Sequence, residues 1–304
     1  SFKPIRKKVI FNDDQDRVVG NLKDSLEKKS YTPFLLHGVT GSGKTEIYIE
    51  AVKYCLSQGR TSIILLPEIS LTPQIAGRFK SVFGATIALW HSKLTQKQRS
   101  LTWKEICKGT FKVIIGARSA IFSPLKNLGL IVIDEEQEAS FRQDSPSPRY
   151  HARDVALMRA RLNNSVILLA SATPSLESYY NHQNMKLKYL HLPSRYGGAK
   201  YPIVHLVDML KEQDDTGKFG QIVSGLLQDK IEERLNNKEQ IIILQNRRGY
   251  SPVIKCGDCG GVVMCPNCNV AFSYHRNTNN LLCHFCSFSR DSLNLSCTDC
   301  NSKN

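Results

Sequence analysis

Two sets of residues in this 304-residue chain have the types and spacing to do chemistry. The first is Gly38-Val39-Thr40-Gly41-Ser42-Gly43-Lys44-Thr45, which matches G-x-x-x-x-G-K-[ST] at every position. Glycines at these places let backbone N–H groups turn inward around phosphate oxygens, and the helix that follows adds partial positive charge at its N-terminus. Lys44 would neutralise the β- and γ-phosphates, and Thr45 would hold magnesium through its hydroxyl. Magnesium needs a further oxygen ligand at the end of a neighbouring strand. Leu130-Ile131-Val132-Ile133-Asp134-Glu135-Glu136-Gln137 supplies one, four apolar residues followed by acid. Asp134 is the expected magnesium partner, and Glu135 is placed to orient or deprotonate an attacking water. The predicted ligands are ATP and Mg2+.

The second set is sulfur. Eight of the ten cysteines fall between Cys256 and Cys300, all in C-x-x-C pairs: Cys256/Cys259, Cys265/Cys268, Cys283/Cys286 and Cys297/Cys300. Each pair can present two thiolates to one tetrahedral ion, so the four pairs fit two zinc sites of four cysteines each. Such closed sites leave no open position for chemistry, which makes the predicted zinc structural. Five residues separate the first two pairs, and fourteen separate the second from the third. That spacing favours nesting: Cys265, Cys268, Cys283 and Cys286 around one ion, Cys256, Cys259, Cys297 and Cys300 around the other. His275 and His284 are available to other pairings. Cys55 and Cys107 are assigned nothing.

Two smaller features narrow the class. Gln15 precedes the glycine-rich loop at a distance where its amide could read an adenine edge. Ser171-Ala172-Thr173 follows an apolar run, where Ser171 and Thr173 could relay nucleotide state to a bound strand. Glycine-rich loop, D-E-E-Q and S-A-T in this order specify helicases and translocases and exclude kinases and small GTPases.

The elements that must position these residues are legible as alternation. Apolar runs at 34–37, 62–66, 112–115, 130–133 and 166–169 read as strands, with helices near 45–57, 71–82, 95–108 and 152–162. Continuous apolar strands between amphipathic helices predict an α/β fold with a parallel sheet covered on both faces. Turn-forming residues at 193–199 predict a hinge. Beyond it we expect strands at 203–207 and 240–244 and a helix near 222–236. The predicted division is 1–194, 195–255 and 256–304.

The formal net charge of +14 is spread along the chain and favours a polyanionic partner, nucleic acid before others. No apolar run approaches the ~18 residues that would argue for a membrane span. Nor does the N-terminal stretch read as a secretion signal, so a cytoplasmic location is expected.

The chain resembles the primosomal replication-restart DNA helicases (the PriA family) of superfamily 2. The resemblance is carried by residues 66–74, His91-Ser92, residues 115–120, 149–154 and 171–177, and Asn246-Arg247-Arg248-Gly249-Tyr250, with the cysteine block directly after. It implies a RecA-like P-loop lobe, the start of a second RecA-like lobe and a small zinc module nested as above. It also implies ATP-dependent 3′→5′ unwinding at stalled forks and D-loops. The implied partners are forked DNA, primosome proteins and single-stranded DNA-binding protein. Matched by motif, Lys44, Thr45, Asp134 and Glu135 serve hydrolysis, and Arg118 touches the DNA backbone. Phe141, Arg142, Arg149 and Tyr150 belong to an aromatic-rich loop that couples DNA to hydrolysis, its rings and guanidinium planes able to stack on unpaired bases. Gln137 departs from the family, which has His there. The family's N-terminal DNA-binding region and the rest of its second lobe, arginine finger included, find no match here. That leaves open a piece that binds ATP, DNA and partners with little turnover, or another superfamily 2 translocase.

Overall fold

The computed structural model describes all residues except 1–9, 68–72, 146, 199–200, 218–221, 245–252, 257, 269, 276–278, 292–295, 298–299 and 303–304. Most of the segment 66–74 and the motif at 246–250 thus lie outside the described residues. Contacts divide the chain between Ile203 and Val204.

The first unit alternates helix and strand: α1 (Asp13–Glu27), β1 (Thr32–Gly38), α2 (Lys44–Ser57), β2 (Thr61–Leu65), α3 (Pro73–Phe83), β3 (Ile87–Trp90), α4 (Gln96–Lys108), β4 (Val113–Gly116) and β5 (Leu128–Asp134). A two-residue ladder follows, β6 (Arg142–Gln143) with β7 (Tyr150–His151), then α5 (Ala152–Leu162), β8 (Val166–Ser171), α6 (Leu176–Gln183) and β9 (Lys188–Leu192). The seven main strands form one parallel sheet in the order β3-β4-β2-β5-β8-β1-β9.

Both faces of that sheet are covered, which explains the unbroken apolar strands. Leu36, Ile64, Val132 and Leu168 point to one face, where they meet Val18 and Leu22 of α1, Ile47 of α2 and Phe79 of α3. Their neighbours Leu35, Ile63, Ile131 and Leu169 point to the other, against Ile106 of α4 and Ala152, Ala156 and Ala160 of α5. Alanine at every fourth position of α5 keeps one face of that helix small, so it can lie close on the sheet. Each fully buried aliphatic side chain contributes about 1.5–3 kcal/mol relative to exposure.

The strand order also does the positioning. β5, β8 and β1 are adjacent, with Asp134 paired to Ala170 and His37 to Ser171. The carboxyl ends of three neighbouring strands therefore present Asp134, Ser171 and Gly38 side by side, where ligands sit in open parallel sheets.

The second unit contains α7 (Met209–Thr216), α8 (Gly225–Asn236) and an antiparallel sheet of β10 (Ser273–His275), β11 (Asn280–Leu282) and β12 (Ser289–Asp291). The helix expected near 222–236 is α8, started by Ser224, whose Oγ accepts the Leu227 N–H at 3.1 Å. Two expected strands are not strands. Residues 203–207 and 240–244 have no ladder partner among the described residues, and Ile203, Leu206, Ile242 and Leu244 are exposed. β-branched composition favours a strand only where neighbouring strands complete the ladder.

Candidate functional site

The glycine-rich loop leaves β1 and enters α2 through backbone that only glycine adopts without strain. Gly41 and Gly43 have φ of +80° and +82°, and Gly43 is the residue that caps α2. Space matters as much as φ, since a Cβ on Gly43 would lie 2.5 Å from Gln15 Nε2. Lys44 is buried, its Nζ donating to the Gly38 carbonyl at 3.0 Å, a contact that a phosphate oxygen would replace. Ser42 Oγ is buried with no protein partner, which suits a loop that wraps an anion. Thr45 is half-buried in the first turn of α2.

Gln15 has a different surrounding from the adenine-reading one expected of it. It is buried within the capping box that starts α1: its Oε1 accepts the Asn12 N–H at 3.0 Å, and Asn12 Oδ1 accepts the Gln15 N–H at 2.9 Å. Its Nε2 donates to the Ser42 carbonyl at 2.8 Å. The amide braces the loop. Asn12 and Gln15 form the N-x-x-Q pair of a helix-starting capping box.

At the end of β5 the acidic run divides by environment. Asp134 Oδ1 accepts the hydroxyl of fully buried Tyr48 at 2.7 Å and the Glu135 N–H at 3.2 Å. Burial holds the Asp134 carboxyl above the usual carboxylate range, and the Tyr48 hydrogen bond offsets this only in part. Glu135 turns the chain with φ of +48°, a left-handed conformation costing on the order of 1 kcal/mol in a non-glycine residue. Gln137 Nε2 donates to Glu135 Oε2 at 3.0 Å, so the residue that departs from the family pattern still orients the acid beside it.

Glu136, which looks like one more surface acid in the sequence, is fully buried. Its oxygens accept from Arg153 Nη1 at 3.0 Å, Ser175 N at 2.7 Å, Ser175 Oγ at 3.1 Å and Ser178 Oγ at 2.9 Å. It therefore ties the D-E-E-Q turn to the starts of α5 and α6. Ser171, at the head of that second connection, is buried and accepts the N–H of exposed Thr173 at 2.8 Å. Sequence reading missed Tyr48 and Glu136. Tyr48 was findable, since it lies one helical turn beyond Lys44 on the same face of α2. The hinge expected at 193–199 precedes the boundary at Ile203, and its Tyr196 N–H is bonded to the Gly41 carbonyl at 2.8 Å.

The aromatic-rich loop is built around Tyr150. The Arg118 guanidinium lies over its ring at 5.6 Å, and Phe122 meets it edge-on at 5.1 Å. Arg118 also donates to the Arg142 carbonyl at 2.6 Å, so its expected reach to a DNA backbone is partly spent on holding the loop. Phe141 is a clearer departure from a stacking role. It is 1% exposed and packs in the core against the face that carries α5. Arg142 is exposed beside Asp144, and Arg149 is exposed.

The eight paired cysteines come together as two groups, Cys265/Cys268/Cys283/Cys286 and Cys256/Cys259/Cys297/Cys300, each with its four Sγ atoms within 4.8 Å of one another. The Sγ–Sγ contacts within hydrogen-bonding range run from 3.2 Å (Cys268–Cys283) to 3.7 Å (Cys268–Cys286). A tetrahedron with ~2.3 Å Zn–S bonds has edges of about 3.8 Å, so the donor set fits zinc. The backbone N–H of Cys286, with smaller contributions, brings the Cys283 thiol down to about 6. The Cys268 thiol, hydrogen-bonded to Cys283, is pushed up to about 12. Zinc takes thiolates, so an ion bound at either group would replace the protons that crowding keeps on its thiols. His275 and His284 belong to neither group; their Nε2 atoms face each other at 3.0 Å.

Comparison with known proteins agrees with these two centres. Residues 12–181 match the DEAD/DEAH box helicase family, and residues 265–290 match the PriA DNA helicase Cys-rich region domain, which contains the inner cysteine group. The replication restart protein PriA of Bacillus subtilis (strain 168) is 42% identical over 274 residues, 90% of this chain and 34% of that protein. The replication restart protein PriA of Haemophilus influenzae (strain ATCC 51907 / DSM 11121 / KW20 / Rd) is 41% identical over 280 residues, 91% of this chain and 37% of that protein. This chain thus spans about a third of the length of the curated relatives it matches. Among solved structures, RecG bound to a three-way DNA junction shares the fold, with a TM-score of 0.52 at 21% identity over 76% of this chain and 31% of that one. The chain belongs to the DEAD/DEAH box helicases, and within them to the PriA replication restart proteins, the line marked by the cysteine-rich ribbon.

Proposed function

We propose that this chain carries the ATP-binding lobe and the zinc ribbon of an ATP-dependent 3′→5′ DNA helicase of replication restart, acting in the cytoplasm on stalled forks and D-loops. The observation that carries the reading is the convergence of the glycine-rich loop at 38–45 and Asp134 at adjacent strand ends, with buried Lys44 and the Tyr48–Asp134 hydrogen bond joining them. In this reading the loop amides and Lys44 hold the β- and γ-phosphates, Thr45 and Asp134 hold Mg2+, and Glu135 orients the attacking water. Bound Mg2+ supplies charge neutralisation at the phosphates. Arg142, Arg149 and Tyr150 face the DNA, with Arg118 setting their loop. Ser171 and Thr173 relay nucleotide state. The proposed division is a first lobe at 1–194, the start of a second at 195–255, and a ribbon at 256–304 that contacts primosome proteins and single-stranded DNA-binding protein. Among the described residues no helix is long and apolar enough to cross a membrane.

Forked DNA is expected to stimulate ATP hydrolysis, and Lys44→Ala to remove at least about 100-fold of the rate, the size lost with a transition-state charge contact. Hydrolysis that survives Lys44→Ala would refute the assignment. A second reading, a DNA- and partner-holding piece with slow turnover, draws support from one fact. Every group proposed to touch the triphosphate comes from the first unit. Tight nucleotide and DNA binding with no hydrolysis on any DNA would select it.

A further inference from the structure

The chain has two tryptophans, and the fold puts them against each other at the surface. Trp90 ends β3 and Trp103 lies on α4, with ring centroids 5.8 Å apart and planes tilted by 53°. Trp103 is 38% exposed. α4 does not need it for docking, because Ile106 supplies the buried contact to the sheet. A large aromatic ring left in water between Thr102 and Lys104 of that helix invites a ligand with an aromatic face.

Trp90 is held as a fixed wall behind that ring. Its indole N–H donates to Ser119 Oγ at 3.1 Å, and its carbonyl accepts the Ala117 N–H at 3.1 Å. Gly116 permits this closeness, since a Cβ there would sit 2.3 Å from the Trp90 carbonyl oxygen. Ser119 in turn follows Arg118, so the pair adjoins the base of the Tyr150 loop. β3 is one of the two edge strands, and its carboxyl end opens on the same side of the sheet as Gly38 and Asp134.

The charge around the pair is one-sided. From Lys93 to Lys108 there are five basic residues and one acid, Glu105, which is already engaged by Lys108 at 2.7 Å and Thr110 at 2.8 Å. Among the described residues Lys93, Lys97 and Lys104 have no carboxylate partner. Arg99 stands one helical turn before Trp103 and is anchored to the Ser92 carbonyl at 3.0 Å. An exposed indole beside unpaired cations is the combination that takes single-stranded nucleic acid, the ring meeting a base and the cations its phosphates. A duplex, whose bases are already stacked, offers no free face.

We propose that Trp103, backed by Trp90, is a stacking platform for an unpaired nucleobase, with Lys93, Lys97 and Lys104 holding the backbone of the same strand. The inference rests on the nucleic-acid reading above and adds to it a strand state and a place. Because both tryptophans lie at the platform, tryptophan emission, excited at the red edge where the eleven tyrosines do not absorb, reports on it alone. Titrating a short oligothymidylate into the zinc-loaded chain should quench tryptophan emission saturably, with affinity falling as salt rises. By anisotropy of a labelled strand, Trp103→Ala should weaken single-strand binding at least about fivefold. Trp103→Phe should keep most of it, and affinity for a blunt duplex should change less than about twofold. Anisotropy that shows binding with no quench, or with wild-type affinity in Trp103→Ala, would overturn the platform and leave the DNA reading standing. No binding of any DNA by the wild-type chain would overturn both.

Discussion

The glycine-loop lobe and the cysteine ribbon reach order by different means. In the lobe, a seven-stranded sheet buries aliphatic residues on both faces, and the helices that cover it are fixed by packing. In the ribbon, the buried apolar cluster among the described residues is Cys265, Phe272, Leu281 and Cys283, and two of those four belong to a proposed zinc site. A core that small cannot offset the conformational entropy of the loops around it. The difference teaches where each region can be attacked. The lobe depends on shape, and the ribbon depends on an ion.

Removing the ion is therefore the largest perturbation available. Binding of structural zinc contributes about 10–16 kcal/mol in small modules of this kind, and that is folding free energy. Metal analysis should return two zinc ions per chain. Stripping them with a strong chelator should open residues 253–302 to protease while the thermal transition of the lobe stays in place. A content near one ion per chain would contradict the nested pairing. A lobe transition that fell with the zinc would contradict the separation of the two regions.

Within the lobe, the most exposed weakness is the buried ion pair. Glu136 is fully buried and Arg153 is 13% exposed, so removing one partner strands the other. Glu136→Ala should cost about 3–5 kcal/mol. At about 2–4 °C per kcal/mol, the lobe transition in calorimetry should drop by on the order of 10 °C with zinc content unchanged. Glu136→Gln, which keeps an acceptor for Ser175 and Ser178, should lose less. Equal losses in the two variants would show that the charge on Glu136 matters more than its hydrogen bonds.

The two regions were also unequally legible. The glycine loop was readable because positive φ at Gly41 and Gly43 restricts the residue type, and composition then reports backbone. The cysteines were readable because a tetrahedral ion restricts both type and spacing. Their grouping in three dimensions follows the nesting that five- and fourteen-residue gaps favoured. Residues whose roles depend on neighbours distant in sequence were not readable. Gln15 meets Ser42 from 27 positions away and Glu136 meets Ser178 from 42, and nothing local marks either contact. Phe141 failed for a related reason. An aromatic ring in a loop looks available until a core closes over it. Residues 203–207 and 240–244 have strand composition without strand partners, and composition alone cannot supply a ladder.

The smallest effect tests the sign of charge in the lobe. Burial raises the Asp134 carboxyl above the ordinary carboxylate range, with the Tyr48 hydroxyl working against it. A raised acid binds its proton more tightly when folded than when unfolded. Stability is then whole below the unfolded value, falls as pH rises through the folded one, and stays reduced at neutral pH. Asp134→Asn keeps an oxygen for Tyr48 and removes the charge. It should raise the Tm of the lobe at pH 7 by a few degrees, about 2–4 °C per kcal/mol recovered, and raise it by nothing near pH 3. Saturating Mg2+ with nucleotide should close the gap by stabilising the wild type alone, and the variant should no longer hydrolyse ATP. An equal gain at both pH values would assign the effect to packing instead. In the ribbon, stability is lost when the ion that neutralises crowded thiolates is taken away. In the lobe it is gained when the charge awaiting an ion is deleted, because the sheet holds Asp134 in place whether or not the ion is there.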